Sequence, residues 1–495
     1  MSTAAMKLAS PDSYALASWL FLRLLGVIYF SAFLSLAFQL KGLVGRQGIL
    51  PAVEFLAARR RFGARRFWRV PTLCWFNSSD PFMLGICWAG VVLAACLVAG
   101  LFPMAILILL WLAYLSLFSI GRIFLGYQWD ILLLETGFLA IFAAPTDLSC
   151  WCPPAVSPPP IIIWLLWWLL FRLMFSSGVV KFRSADEHWR RLTALAFHYE
   201  TQPLPTPVAW HAHQLPIGWH RLSATVMFAI ELLAPWLIFG PPPLKYTAAG
   251  LIVLLMILIQ LTGNYCFFNL LAIALSLLLL DDRALFPIFG GLVPARALVA
   301  RIEPTQWFQA GVGILVLALS LVPLARLARL EISWPRPLES LFDFFEPFHL
   351  VNSYGLFSVM TTERPEIIVE GSQDGVLWLP YEFKWKPGDP WHAPRFIAPH
   401  QPRLDWQMWF AALGFADGNP WFLRFLKTLQ QGSPSVLSLL KENPFPNRPP
   451  RFIRAVMYRY RFTNFTQRRK DGSWWSREKR GLYCPVLEAG EPTNR

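Results

Sequence analysis

The sequence predicts a polytopic α-helical membrane bundle of about nine spans followed by a mainly β C-terminal domain, read as a β-sandwich. Three observations carry this reading. Apolar residues make up 55% of the 495-residue chain and charged residues only 15%, against about a quarter charged in an ordinary soluble protein. Apolar runs recur as far as residue 328, each close to the roughly 20 residues that a helix needs to cross about 30 Å of hydrocarbon. Beyond Arg329 the texture changes to short runs punctuated by Pro335, Pro337, Pro347, Pro365 and Pro380.

The first run, Tyr14 to Leu40, is too long for the core of a signal peptide, so it reads as a retained span that also targets the chain. Further candidates lie at 81–101, 103–121, 123–144, 160–181, 222–240, 245–262, 264–281 and 307–328. The second and third are parted only by the turn at Gly100–Pro103, and the seventh and eighth by Thr262-Gly263-Asn264. The fourth carries Asp130 and Glu135. Charge at membrane depth is costly and turns inward, so Asp130 is placed near the interface and Glu135 is expected to pair with Arg23 or Arg172.

Two loops are strongly basic. Between Lys41 and Asp80 lie Arg46, Arg59, Arg60, Arg61, Arg65, Arg66 and Arg69, and Val53 to Arg69 mixes them with apolar residues as an interfacial helix would. The second, Lys181 to Arg221, is Arg-rich and holds five of the eight His. The net charge of +14 fits anionic headgroups better than nucleic acid, given the apolar spans. By charge alone both loops belong in the cytoplasm.

In the C-terminal part, Glu366–Glu370, Val376–Trp385 and Phe452–Phe462 read as strands, the last ending in the strict alternation Tyr458-Arg459-Tyr460-Arg461-Phe462. The organisation is therefore a helical transmembrane domain (1–329), a soluble β-rich domain (330–465) and a polar, partly disordered tail (466–495).

There is no nucleophile elbow, phosphate-binding Gly-rich loop, zinc-protease helix motif or Cys-x-x-Cys, which argues against a self-contained hydrolase or ATPase. The seven Cys follow no zinc or redox spacing, His211-x-His213 has no third ligand beside it, and no cofactor is indicated. The densest polar constellation ends the fifth span: Ser176-Ser177-Gly178-Val179-Val180-Lys181, then Asp186, His188 and His198-Tyr199-Glu200. A Lys desolvated at a helix end can serve as a base, or can snorkel to the headgroups.

Long motifs stand at Gly42-Leu43-Val44-Gly45-Arg46-Gln47-Gly48-Ile49-Leu50-Pro51, at Tyr127-Gln128-Trp129-Asp130 through Leu134-Glu135-Thr136-Gly137-Phe138, and at His198-Tyr199-Glu200-Thr201-Gln202-Pro203-Leu204-Pro205. Asn352-Ser353-Tyr354-Gly355-Leu356-Phe357 and the run from Pro399 to Trp409 continue them into the soluble domain. Through these motifs the chain bears a resemblance to the lipase maturation factor family. It implies a membrane-resident factor whose partners are secreted lipases and membrane lipids. The membrane is that of the endoplasmic reticulum in a eukaryote or the inner membrane in a bacterium, with the C-terminal domain on the luminal or periplasmic side. This orientation opposes the charge count. The family is also distantly similar to vitamin K-dependent carboxylase, and Gly178-Val179-Val180-Lys181 sits where that enzyme carries its Gly-x-x-Lys. Two readings follow. A folding factor would hold clients on exposed C-terminal residues, with Arg403, Asp405, Trp406, Trp409 and Trp421 as candidates, although core packing is the favoured reading for most of these aromatics. A membrane enzyme would act on a lipid, quinone or client side chain through Lys181, His198 and Glu200.

Overall fold

The computed structural model describes residues 13–146, 151–154, 157–292, 306–330 and 332–490. Among them, six helices are long and apolar enough to cross a membrane: Ala15–Ala37, Asp80–Ala99, Pro103–Phe124, Pro160–Phe182, Pro242–Thr262 and Trp307–Ala328. The chain is an integral membrane protein. The expected count of about nine is corrected to these six, and the other three candidate runs form shorter helices. Gln128–Ala143 and Ile217–Leu232 have 16 residues each, and Phe268–Leu277 has 10. At 1.5 Å per residue they reach about 24 Å and about 15 Å, less than the hydrocarbon thickness. The local causes are visible. Pro235 ends the sixth run and starts a separate turn, Ala234–Leu237. The eighth loses its first turn to Asn264, whose side chain is turned to other partners.

The polar ends of the spans are pinned by side chains from far along the chain. Asp282 accepts hydrogen bonds from Ser13 Oγ at 2.5 Å and the Leu16 amide at 2.9 Å, so a carboxylate caps the amino end of the first span. The basic segment expected at the interface forms the helix Ala52–Arg59, a 3-10 stretch Arg60–Arg65 and a last turn Arg66–Arg69. Gly63, at φ 56°, allows a kink inside the second of these.

The C-terminal part is one four-stranded antiparallel sheet, in the order β2-β1-β3-β4, formed by β1 Arg364–Ser372, β2 Leu379–Pro380, β3 Phe452–Phe462 and β4 Trp475–Glu488. It is not a β-sandwich: helices Arg403–Ala412 and Pro420–Gln430 contact the sheet instead of a second sheet. The second helix supplies the apolar cover through Phe422, Phe425, Leu426 and Leu429, all buried. The longest strand lies in residues read as a polar, partly disordered tail. β4 is an edge strand, so Arg477, Glu478, Lys479 and Arg480 stand in solvent, and its polar composition follows from that position.

Candidate functional site

The helical half and the C-terminal sheet meet along a buried polar seam. Its first station is Asp130, in the opening turn of the 128–143 helix. The carboxylate accepts from Arg403 Nη1 at 3.0 Å and Nη2 at 2.9 Å, and from Tyr114 Oη at 2.5 Å, while Arg403 Nη1 also donates to the Phe124 carbonyl at 2.6 Å. Both charged side chains are buried, at 1% and 0% exposure. A bidentate pair is the arrangement that lets two such charges leave water together. Asp130 is thus wholly enclosed by protein, at the start of its helix, where the C-terminal part meets the helical half.

The second station lies about one helical turn further along. Glu135 pairs with Arg172, one of its two expected partners. Its other oxygen accepts from the Asn352 amide at 2.9 Å, Asn352 Nδ2 at 3.0 Å and Tyr354 Oη at 2.8 Å. Gln128 and the Gly355 backbone exchange two further bonds, at 2.8 and 3.1 Å. Tyr127 and Trp129 stack with ring centres 4.7 Å apart, and Trp406 meets both edge-on at 5.7 and 4.8 Å.

The remaining contacts are clasps on backbone. Arg364, at the start of β1, donates to the carbonyls of Glu200 and Pro203 at 2.8 Å each, and to that of Gln202. Glu200 itself accepts from the Phe462 amide at 2.6 Å. Asn264 bonds the Arg395 carbonyl and the Ile397 and Ala398 amides. Gln39 at the end of the first span donates to the Gln401 carbonyl and accepts from the Arg403 amide. Irregular loops at this depth would otherwise leave buried amides and carbonyls unpaired.

Of the residues singled out as catalytic, the structure brings two close and separates the third. Lys181 is buried, and its ammonium donates to Glu231 Oε1 at 2.7 Å, Glu231 Oε2 at 2.8 Å and the Ser177 carbonyl at 3.2 Å. All three protons of an ammonium are thereby matched to acceptors, and no lone pair is presented to a substrate. Gly178 makes this possible, because a Cβ there would come within 2.7 Å of the Leu232 side chain and 3.0 Å of Glu231 Cβ. His198 bonds Tyr265 Oη at 3.1 Å and is held low by burial first and by the Lys181 charge second. Glu200 turns away to β3 and does not join Lys181.

The residues expected to present a client surface are not exposed. Arg403, Asp405, Trp406, Trp409 and Trp421 are exposed by 6% at most. Asp405 accepts from the amides of Trp385 and Lys386 at 2.9 Å each, and burial pushes its carboxyl up to about 6. Trp409 Nε1 donates to the Thr201 carbonyl at 2.8 Å. These side chains hold the seam, and none of them presents a client surface. Among the described residues no three His, Cys, Asp or Glu side chains converge as a metal site. Glu231, Arg364 and Tyr114 escaped the sequence reading. Glu231 alone left a signal, an acid inside an apolar run that needs a buried cation.

Burial pulls His198, His213 and His400 down to about 4, each with a secondary push from neighbouring positive charge or histidine. Their ordinary value is about 6.5, so the folded state keeps them neutral where the unfolded chain takes up protons. They cost nothing above that pH, and stability falls as the pH drops from about 6.5 towards 4, by at most about 1.4 kcal/mol per pH unit for each. Thermal melts between pH 7.5 and 4.5 should show this loss, and a His198→Gln, His400→Gln variant should flatten it. Equal slopes for the two proteins would refute the assignment.

The chain matches two family models, the lipase maturation factor transmembrane domain over residues 16–286 and the lipase maturation factor C-terminal domain over residues 350–485. It is 36% identical to lipase maturation factor 2 of Gallus gallus, over 96% of this chain and 82% of that protein. Lipase maturation factor 2 of Homo sapiens is also 36% identical, over 96% and 83%. Lipase maturation factor 1 of Mus musculus is 36% identical over 94% and 86%. No solved structure matches the chain.

Proposed function

Because the chain belongs to the lipase maturation factor family, we propose that it is a membrane-resident maturation factor for secreted lipases. The observation that carries this is the match of both family domains, in order, over most of the chain. The seam supports it from the physical side. Its charged groups are paired and buried, which suits a rigid frame holding a β domain at the membrane surface and does not suit a reaction centre. The enzyme reading is not favoured, since the base it requires is committed to Glu231.

In this reading the sheet domain, the Lys181 to Arg221 loop and the Arg-rich first loop share one side of the membrane, as their mutual contacts indicate. That side is the lumen of the endoplasmic reticulum in a eukaryote or the periplasm in a bacterium. Long loops constrain orientation weakly, so their positive charge does not outweigh the family's arrangement. A reporter fused after Arg495 should be active outside the cytoplasm, and activity only inside would overturn the orientation.

Clients need an exposed apolar surface. A cleft of about 370 Å³ lies on the sheet domain, lined by polar and apolar residues alike, among them Met360, Glu363, Leu413, Met457 and Arg459. Near it the sequence exposes Phe410 (46%), Leu413 (43%) and Phe415 (85%). A Leu413→Asp, Phe415→Asp variant should keep its melting temperature yet lower the yield of active secreted lipase by roughly ten-fold, as loss of one or two hot-spot anchors implies. Unchanged lipase activity would exclude this surface. Deleting the gene and assaying which secreted lipase activities disappear tests the function itself.

A further inference from the structure

The segment from Arg59 to Arg69 carries Arg59, Arg60, Arg61, Arg65, Arg66 and Arg69, and none has a carboxylate partner among the described residues. The two acids of the same loop are engaged elsewhere. Glu54 pairs with Arg424 at 2.7 Å, and Asp80 accepts from the Arg46 amide at 2.9 Å. Six unneutralised guanidiniums within eleven residues repel one another unless something anionic lies between them. Instead of carboxylates they meet rings. Arg59 lies 5.0 Å from the Phe55 ring, Arg69 4.8 Å from Phe62, and Arg66 4.7 Å from Phe67 and 5.3 Å from Trp75. Contact with a ring face uses none of a guanidinium's N–H donors, which stay available to an anion. Arg66 Nε is buried with no acceptor.

The depth of this array is set by its contacts. Thr72 Oγ1 bonds the Ser116 carbonyl at 3.0 Å, the Leu73 amide donates to Ser116 Oγ at 2.8 Å, and Ser119 Oγ donates to the Pro71 carbonyl at 3.0 Å. Ser116 and Ser119 lie in the last turns of the Pro103–Phe124 span, so the array sits beside the end of a membrane helix. Arg122, at that helix end, lies over the Phe55 ring at 5.3 Å. The aromatics beside the arginines are partly exposed, Phe67 by 47% and Trp68 by 37%, and Phe76 stands out by 82%. Trp68 also donates to the Phe344 carbonyl at 2.6 Å, which ties in the amphipathic helix Arg336–Phe345. Exposed rings and cations at the mouth of a span mark the headgroup layer.

We propose that this collar is a binding site for anionic phospholipid headgroups, with Arg60, Arg61, Arg65 and Arg69 gripping phosphodiesters and Phe67 and Trp68 seated among the acyl chains beneath. An acidic protein segment would satisfy the charge but not the rings exposed at bilayer depth. The collar lies on the same side of the membrane as the sheet domain, to which Glu54 is tied through Arg424. Bound lipid there would hold that domain against the membrane.

The test uses the full chain in nanodiscs of a zwitterionic phosphatidylcholine and an anionic phosphatidylglycerol at three to one, with mass spectrometry of the lipids retained after mild detergent. The expected result is anionic lipid enriched at least about five-fold over the bulk ratio, given that each basic side chain near a charged surface adds measurable attraction. An Arg60→Gln, Arg61→Gln, Arg65→Gln, Arg69→Gln variant should fall to the bulk ratio, while Arg477→Gln, Lys479→Gln on β4 should retain the enrichment. Should the collar variant fail to fold, the wild-type enrichment is read against salt instead, and it should collapse between low and molar salt if headgroup charge carries it. Equal enrichment with and without the collar arginines, or an enrichment insensitive to salt, would overturn the proposal. So would displacement of nothing by anionic lipid when soluble polyglutamate binds the collar, since the surface would then serve a protein.

Discussion

An Arg403→Met protein should melt far below the parent, or fail to accumulate as a folded species in detergent. The substitution keeps the bulk of the side chain and removes its charge, leaving Asp130 buried and without its bidentate partner. Stranding one member of a buried pair costs about 3–5 kcal/mol, a large share of a typical total stability of about 5–15 kcal/mol. Tyr114 Oη would still donate to Asp130 at 2.5 Å, but one neutral hydrogen bond does not replace a guanidinium. The Phe124 carbonyl, which accepts from Arg403 at 2.6 Å, would be stranded as well. The double variant Asp130→Asn, Arg403→Met should recover most of the loss, because it removes the unpaired charge along with the pair. Melting temperature of the three proteins in one detergent decides the matter. A single variant that melts with the parent would mean that the seam does not hold the two halves together.

The second expectation concerns Lys181. Lys181→Met alone should destabilise by about 3–5 kcal/mol, since Glu231 then faces the bundle without a cation. Lys181→Met combined with Glu231→Leu replaces the pair by apolar side chains of similar size, and such replacements are often neutral or stabilising. The double variant should therefore accumulate normally and support production of active lipase. A catalytic Lys181 predicts the opposite, because both variants lack the base. Normal accumulation of the double variant with no lipase maturation would restore the enzyme reading and displace the structural one.

The membrane half was legible because hydrocarbon imposes a simple demand: about 20 apolar residues wherever a helix crosses. The count was overestimated because hydropathy cannot register where a helix stops. Pro235 and the side-chain commitments of Asn264 shorten two apolar runs that composition alone would carry across. The β-rich character of the C-terminal part was legible from the alternation in β3, and its single-sheet arrangement was not. Helix Arg403–Ala412 buries Arg403, Asp405 and Gln407 beside Trp406 and Met408, so its pattern matches no amphipathic template. β4 shows the converse error, a polar run taken for a tail because its charges face outward from a sheet edge.

The motifs that identify the family were present in the sequence as words, without their meaning. Asp130 and Arg403 lie 273 residues apart in number, and Glu135 and Tyr354 219, yet each pair is hydrogen-bonded in space. From the chain alone Asp130 and Glu135 read as membrane-depth charges in need of partners, Gln128, Asn352 and Tyr354 as parts of family motifs, Arg403 as a client contact, and Lys181 as a candidate base. The sequence by itself determined the membrane class, the family, the basic loops and one of two possible partners for Glu135. Only the tertiary structure decided that Arg172 is that partner, that Arg403 answers Asp130, and that Lys181 answers Glu231. The physical reason is that a buried charge states only that a counter-charge must exist. Where the counter-charge comes from is set by which distant segments the packing brings alongside.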